Sequence, residues 1–216
     1  MSKSHTLRIV VTALMALAIS VAAACQAPSQ PEAKSALPSS LPPPPIGTQP
    51  EGPSVSDNVN WAADGVITAG EYRNSRSFDS YELWWTADEA NLYVAVKAET
   101  QGWLAIGFDP ESKMKDADIV IGYIKDGKLT ISDQYSAGQF GPHLPDVDQG
   151  GSDDLLASAG KSEGGFTTIE FKRKLDTGDR FDKVLGKGTH KIIWAYGSDP
   201  IFTLKHTTRG SGEIDL

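Results

Sequence analysis

Short segments in which apolar and polar residues alternate recur along the chain from Tyr81 onward. Alternation with a period of two puts successive side chains on opposite faces of an extended strand, so each segment fits a strand with one buried face. No window shows the three- and four-residue spacing of an amphipathic helix. Many short strands indicate an all-β fold, either a sandwich or a barrel. The clearest segments are Tyr81–Trp85, Leu92–Ala98, Trp103–Phe108, Ile119–Ile124, Leu129–Gln134, Phe166–Leu175 and His190–Gly197.

Turn residues between these segments sharpen the prediction. Asp126-Gly127 separates two apolar strands and predicts a tight hairpin, because both turn positions require a positive φ. A turn is also predicted at Asp88–Asn91, and a long functional or mobile connection at Gly138–Asp154. Two short strands and one short helix are expected closer to the C-terminus, at Lys205–Thr208, Gly212–Leu216 and Asp179–Leu185 respectively.

Residues 1–24 have the pattern of a secretory signal peptide. Lys3 and Arg8 give the start a positive charge with no acid, and Ile9–Ala24 is an almost entirely apolar stretch of 16 residues. A spanning helix usually needs about 17–25 residues, so a cleaved signal fits better than a transmembrane anchor.

Cys25 is the only cysteine, and it therefore has no partner for an internal disulfide. Its position after Ala22-Ala23-Ala24 resembles the lipobox of bacterial lipoproteins, in which the cysteine is lipidated. This resemblance implies an exported protein, lipid-anchored to the cell membrane or the outer membrane and facing the periplasm or the outside. Residues 25–57 hold nine of the thirteen prolines and are predicted to form a disordered, semi-extended linker. Residues 58–216 are predicted to form the one folded domain.

Composition excludes several classes of function. The net charge of −8 and the lack of a basic stripe argue against a nucleic-acid partner. The predicted domain has no cysteine, no Gly-x-Ser-x-Gly elbow and no His-Glu-x-x-His motif. We therefore expect this chain not to be an enzyme by itself. Without a Cys-x-x-Cys-His motif, covalent c-type haem is excluded as well.

Several segments, taken in order, resemble a DOMON domain. They are GWLAIGF at Gly102–Phe108, Met114 with ADIVIG at Ala117–Gly122, Asp133, Pro145 with Asp146, WAYG at Trp194–Gly197, and His206 with Arg209-Gly210. The opening of the domain, at 64–72, also resembles family 9 carbohydrate-binding modules, which share this sandwich. The resemblance implies an antiparallel, immunoglobulin-like β-sandwich that binds either haem or sugar.

The resemblance also implies a ligand set. Haem-binding members hold one non-covalent b-type haem at an end of the sandwich, between a Met and a His. For this chain, the resemblance implies that the axial ligands of the iron are Met114 and His206. Lys205 is a neighbouring alternative to His206, and His143 is a further alternative ligand. Arg209 is expected to pair with a haem propionate. The apolar residues expected to line the pocket are Trp103, Ile106, Phe108, Ile121, Trp194 and Tyr196.

Met114 stands out without the resemblance. Once the signal is removed it is the only methionine, and it lies in a polar segment, Glu111–Asp116, where a core methionine is not expected. A thioether is a soft ligand, and Met/His ligation raises the reduction potential of a haem. With both axial positions filled, the expected function is electron transfer to an unknown redox partner.

Three alternatives remain open, and one of them is a structural or adhesion domain that binds no ligand. A carbohydrate-binding module would stack sugars on exposed aromatics, and the candidates are Tyr81, Trp84 and Trp85. Adjacent residues of one strand face opposite sides, so at least one of the two tryptophans could be exposed.

The acids between 146 and 154 could bind Ca²⁺, but their spacing fits no EF-hand, and a solvated acidic loop is the preferred interpretation. These acids are Asp146, Asp148, Asp153 and Asp154.

Overall fold

A computed structural model of the chain describes residues 59–216. The predicted signal peptide, the lipidation site at Cys25 and the linker at 25–57 lie outside the described residues. Within the described part, the chain forms eleven strands and one short 3-10 helix, which spans Asp146–Gln149. The strands are β1 Asn74–Phe78, β2 Tyr81–Ala87, β3 Asn91–Ala98, β4 Leu104–Phe108, β5 Ala117–Lys125, β6 Lys128–Ser136, β7 Leu144–Pro145, β8 Leu155–Glu163, β9 Phe166–Lys174, β10 Thr189–Tyr196 and β11 Thr208–Asp215. In the same part of the chain, no helix is long and apolar enough to cross a bilayer.

The strands form two antiparallel sheets. The five-stranded sheet has the order β1-β2-β3-β9-β8, and the six-stranded sheet has the order β11-β10-β4-β5-β6-β7. All pairs within each sheet are antiparallel. The predicted antiparallel β-sandwich is confirmed.

Alternation along each strand divides the side chains of the six-stranded sheet between two faces. The inner face turns Leu104, Ile106 and Phe108 of β4 toward the five-stranded sheet, and all three are at most 1% exposed. There they join the main core, in which the Trp194 ring of β10 stacks on Tyr81 of β2 at 4.8 Å between centroids. Full burial of each such large side chain contributes roughly 1.5–3 kcal/mol, so this inter-sheet layer dominates the stability of the fold.

The hairpin predicted at residues 125–128 is present. Asp126 and Gly127 connect β5 to β6 with φ values of 52° and 71°, and Lys125 pairs with Lys128. Positive φ at both central residues matches the twist of the flanking strands, which is why this dipeptide is favoured there.

Two local predictions were wrong. The segment from Asp179 to Leu185 forms no helix, because its backbone bonds to the sheets instead: the Lys183 amide donates to the Asp118 carboxylate at 2.8 Å, and the Leu185 amide donates to Leu175 O at 2.8 Å. The predicted strand at Lys205–Thr208 is absent apart from Thr208, and the second predicted strand begins earlier than expected, as β11 at Thr208–Asp215, which pairs with β10 over its whole length.

Three strands were not predicted at all, and one of them, the two-residue β7, is an edge of the six-stranded sheet. β1 (NSRSF) and β8 (LLASAGKSE) are the edges of the five-stranded sheet. Edge strands bury fewer side chains, so their sequences can be polar or rich in small residues, and their pairing is specified by the neighbouring strand.

Candidate functional site

The outer face of the six-stranded sheet, which points away from the five-stranded sheet, carries a second apolar cluster. Along β4, β5 and β10 this cluster consists of small and aliphatic side chains, to which Trp103 is added just before β4. Its members, which we call the outer face, are Trp103, Ala105, Ala117, Ile119, Ile121, Ile193 and Ala195. A face of small apolar residues offers a flat, water-poor surface on which a planar apolar group can lie.

Met114 lies at the end of the outer face where β4 stops and β5 begins. Its amide donates to Gln139 O at 3.5 Å, and a Cβ atom placed on Gly141 would lie 3.6 Å from the Met114 methyl carbon. The thioether is therefore packed against the connection that follows β6. In this connection, His143 Nδ1 lies 2.5 Å from Gln134 Oε1, and Gln134 is the β6 partner of Ile119 on the outer face.

His206 lies at the opposite end, in the connection between β10 and β11. This connection also crosses the outer face, because its Phe202 packs edge-to-face on Tyr123 with centroids 4.9 Å apart. Burial and the positive charge of Arg209 lower the pKa of His206. The shift favours the neutral imidazole, which is the form that can ligate a metal.

The two predicted iron ligands thus approach from different ends of the sheet. At one end of β4, Leu104 pairs with Tyr196, next to the start of the His206 connection; at the other end, Phe108 pairs with Ile192. The four residue steps between Leu104 and Phe108 span about 13 Å. The structure does not bring Met114 and His206 into contact, but residues of the flanking connections, Phe202 and His143, pack on the outer face between them.

Two polar groups complete the His206 end of the outer face. Trp103 is 4% exposed, and its Nε1 has no hydrogen-bond partner among residues 59–216. Arg209 is exposed on β11 and pairs with Ala195, so its side chain starts from the same face. A buried donor without a partner and an exposed guanidinium are suited to an anionic group, such as a carboxylate, at this rim. The residues present therefore fit a haem group.

A second polar site lies inside the sandwich. Asp118 of β5, Asp133 of β6 and Asp182 of the connection after β9 place carboxylate oxygens within 4.8 Å of one another. Arg173 of β9 forms a salt bridge with Asp118, and both side chains are at most 1% exposed. Asp146, at the start of the 3-10 helix, is 1% exposed.

Burial and mutual repulsion dominate the electrostatics of this acidic cluster. Burial raises the pKa of Asp118. Burial, together with the charges of Asp118 and Asp182, raises the pKa of Asp133 to about 8 and that of Asp146 to about 7. Burial and the charge of Asp118 raise the pKa of Asp182 to about 6. Three of the four carboxyls therefore have pKa values within about one unit of neutral pH.

Comparison with known proteins identifies the family. The DOMON domain model matches residues 78–197, which is more than half of the chain. The chain belongs to the DOMON family.

Similar proteins are known among the monooxygenase-like relatives of the family. The MOXD1 homolog 1 of Drosophila melanogaster is 36% identical over 148 residues, which is 64% of this chain and 21% of that protein. DBH-like monooxygenase protein 1 of Mus musculus is 29% identical over 119 residues, covering 55% of this chain and 19% of that protein. The DOMON chain therefore spans about a fifth of the length of these relatives.

Two solved structures are also similar. One is the cytochrome domain of Myriococcum thermophilum cellobiose dehydrogenase, with a TM-score of 0.47 and 12% identity over 63% of this chain and 74% of that chain. The other is the cytochrome b domain of pyranose dehydrogenase from Coprinopsis cinerea, with a TM-score of 0.45 and 14% identity over 62% of this chain and 75% of that chain.

The DOMON fold brings some of the predicted site residues together and separates others. Trp103 and Ile121 belong to the outer face, whereas Met114 and His206 lie beyond its opposite ends. The other predicted pocket residues lie in the core between the sheets; they are Ile106, Phe108, Trp194 and Tyr196. These four side chains pack the interior and do not reach the outer face, because they occupy the inward positions of β4 and β10.

The preference for a solvated acidic loop is wrong for Asp146, which is buried, although Asp148 and Asp153 are exposed. Sequence reasoning also missed Asp118, Asp182 and Arg173. A signal was present for two of them: Asp118 shares its strand face with the buried Val120, and Arg173 shares its face with the buried Phe171. A charge at an inward position of an alternating strand marks a buried polar site.

Proposed function

We propose that this DOMON domain binds one non-covalent b-type haem, with Met114 and His206 as axial ligands, and transfers electrons. The observation that carries the proposal is that connections from both ends of the six-stranded sheet cover one apolar face. One connection holds a neutral, half-buried imidazole, and another packs against the only methionine of the described residues.

The haem would supply single-electron chemistry, and the protein residues would tune it. The soft Met114 thioether favours the reduced iron, which raises the reduction potential. Arg209 and the Trp103 indole N–H would bind the propionates. The aliphatic side chains of the outer face keep water away, which lowers the local dielectric around the group.

Electron transfer without catalysis follows from this ligand set. Because a protein ligand fills each axial position, no position remains for oxygen or a substrate. We therefore propose that the chain is not an enzyme by itself and that it passes electrons to a separate redox partner protein. The monooxygenase names of its relatives describe proteins about five times longer than the segment that they share with this chain.

We also propose that the protein is exported and held on a membrane by lipid on Cys25, with residues 25–57 as a tether. A tether raises the effective concentration of a carrier near membrane-bound partners. Cys25→Ser is expected to release the protein from the membrane fraction or to leave it uncleaved. Fractionation and migration identical to those of the parent would contradict the anchor.

The visible absorption spectrum of the purified full-length chain tests the haem. Six-coordinate low-spin iron is expected, with sharp α and β bands after reduction. Met114→Ala should keep the haem but lower its potential, and His206→Ala should weaken haem retention more, because imidazole binds both oxidation states of iron strongly. His190→Ala is the matched control, since its ring bonds Asp109 and Gly186 instead of lying on the outer face.

His143 tests which histidine is the second ligand. It lies at the Met114 end and is expected to stay bonded to Gln134, so His143→Ala should leave the spectrum unchanged. A spectrum that survives His206→Ala and is lost in His143→Ala would contradict the assignment of His206. A chain that takes up no haem, or a spectrum that survives both Met114→Ala and His206→Ala, would contradict the proposal as a whole.

Sugar binding is the second candidate, and one observation supports it. Trp85 lies in the core and Tyr81 is 0% exposed, but Trp84 faces away from the core and is half-buried. Trp84 borders a polar surface groove lined also by Thr68, Tyr72 and Asn74. Retardation of the haem-free protein in polysaccharide gels, abolished by Trp84→Ala, would favour this function over the haem; we expect no retardation.

A further inference from the structure

The acidic cluster inside the sandwich leaves an unusual number of buried oxygens without hydrogen bonds. None of the described residues donates a hydrogen bond to Asp118 Oδ1, to Asp133 Oδ1, or to either carboxylate oxygen of Asp146 and Asp182. The side chains are almost completely buried: Asp118 is 0% exposed, Asp133 4%, Asp146 1%, and the Asp182 side chain 2%. A buried carboxylate oxygen without a partner is costly, and six in one place require a common explanation.

The guanidinium of Arg173 does not explain how these unpartnered oxygens are stabilised. Its Nη1 bonds to Asp118 Oδ2, its Nε donates to Lys174 O at 3.2 Å, and its Nη2 donates to Lys183 O at 3.2 Å. Nη2 also lies 3.6 Å from Asp182 Oδ2, which is too far for a hydrogen bond. One cation therefore faces four acids, and its donors are directed mainly to other acceptors.

The acids come from four separate parts of the chain. Asp118 lies near the start of β5 and Asp133 lies in β6, while Asp146 and Asp182 come from the connections after β7 and β9. Further hydrogen bonds hold these segments near one another. The Asp154 amide donates to Asp133 Oδ2 at 3.1 Å, and the Lys183 amide donates to Asp118 Oδ2 at 2.8 Å. The free oxygens are thus the ones left for a further ligand.

We propose that Asp118, Asp133 and Asp182 bind a Ca²⁺ ion, with Asp146 as an additional ligand. The donors are all carboxylate oxygens, which hard cations prefer, and the set has no histidine or cysteine that would favour zinc. Two ligands on opposite sides of one Ca²⁺ are about 4.6–5.2 Å apart, since each Ca–O distance is about 2.3–2.6 Å. The three carboxylates satisfy this limit, because their oxygens lie within 4.8 Å of one another.

A bound Ca²⁺ would change what this region does for the fold. It would neutralise charge that Arg173 leaves uncompensated, and it would link β5 and β6 to the connections after β7 and β9. The site is separate from the outer face, so it does not depend on haem binding.

The test uses the full-length chain without haem, stripped with EDTA and then titrated with CaCl2. Ca²⁺ in about hundredfold excess over its Kd is expected to raise the Tm by about 5–10 °C, and calorimetry should give one site per chain. Asp133→Asn and Asp182→Asn keep the size of the side chain but remove a charged ligand. In EDTA these variants should be at least as stable as the parent, because repulsion is relieved, and they should lose the response to Ca²⁺.

Asp148→Asn is the matched control, because Asp148 belongs to the same acidic stretch but is exposed. It should keep the full response. If an asparagine variant does not fold, the calorimetric titration of the parent still decides the question. A parent that is folded in EDTA and binds no Ca²⁺, a rise in Tm that Asp133→Asn and Asp182→Asn retain in full, or an equal rise with MgCl2 would overturn the proposal.

Discussion

The outer face and the acidic cluster are both candidate ligand sites of this DOMON domain, yet they are built in opposite ways. The outer face consists of apolar side chains, and its polar groups, Trp103 and Arg209, are confined to the rim. The acidic cluster places four carboxyls and one guanidinium inside the sandwich, next to the main core. An apolar face is stable when it is merely covered, whereas a buried excess of charge is stable only when it is compensated.

This difference predicts how each region responds to change. Substitutions at the acidic cluster should mainly change the free energy of unfolding, because removing a cation leaves a buried carboxylate without a compensating charge. Substitutions at the outer face should mainly change haem retention, because this face is packed like an ordinary apolar surface and holds no buried charge. Three further experiments, beyond those on haem and Ca²⁺, test the comparison.

The largest effect is expected for Arg173→Leu. Arg173 is the only buried cation near Asp118 among residues 59–216, and removing it should lower the free energy of unfolding by about 3–5 kcal/mol, because a buried acid is left without its partner. Urea unfolding in EDTA measures the loss. Lys174→Leu, at an exposed neighbouring position, is the control and should change stability little. Equal losses in both variants would mean that the buried Arg173–Asp118 pair contributes little, and that the acidic cluster does not act on stability through its charges.

A smaller effect is expected for Gly197→Ala. A Cβ atom at this position would overlap Trp103 Nε1 and lie 2.7 Å from its Cε2, so the indole must shift and disturb the His206 end of the outer face. We expect a loss of about 1–3 kcal/mol in the free energy of unfolding, as for overpacking elsewhere, together with weaker haem retention. Gly186→Ala meets no atom within 4 Å and is the control. Unchanged stability and haem content would show that Trp103 is not held by this contact.

The smallest effect is expected for the pH dependence of stability, and it comes from His190, which lies outside both the outer face and the acidic cluster. Burial lowers the pKa of His190, but its bonds to Asp109 Oδ2 at 2.6 Å and to Gly186 O at 2.7 Å act the other way, and the pKa is raised overall. The folded state therefore favours the imidazolium. This contribution to stability is complete below the unfolded pKa of about 6.5 and is lost as the pH rises through the higher pKa of the folded state.

Asp109→Asn should remove most of that pH dependence. Unfolding free energies measured at several pH values from slightly acidic to slightly alkaline would show it as a smaller decline in the variant than in the parent. The same slope in both proteins would mean that Asp109 does not stabilise the charged form of His190.

The strands of this DOMON domain could be predicted from the sequence wherever they are central. In β2, β3, β4 and β9 the period-two pattern is strong, because side chains at inward positions of these strands pack in the core, where apolar residues are favoured. The Asp126-Gly127 turn was equally predictable, since few other dipeptides accept two positive φ values. Edge strands β1 and β8 were not predictable, because their conformation depends on a partner strand that is distant or polar.

The fold class and the family followed from the sequence alone, because strand periodicity and short motifs are local properties of the chain. The sequence did not determine which residues share a face or a cavity. Trp194 and Trp103 are both buried tryptophans, yet one packs between the sheets and the other on the outer face. Asp118 and Asp182 are 64 positions apart in the chain, yet their carboxylates meet inside the sandwich. Such neighbours are set by sheet order and register, which only the tertiary structure decides, because pairing between distant strands fixes where each side chain points.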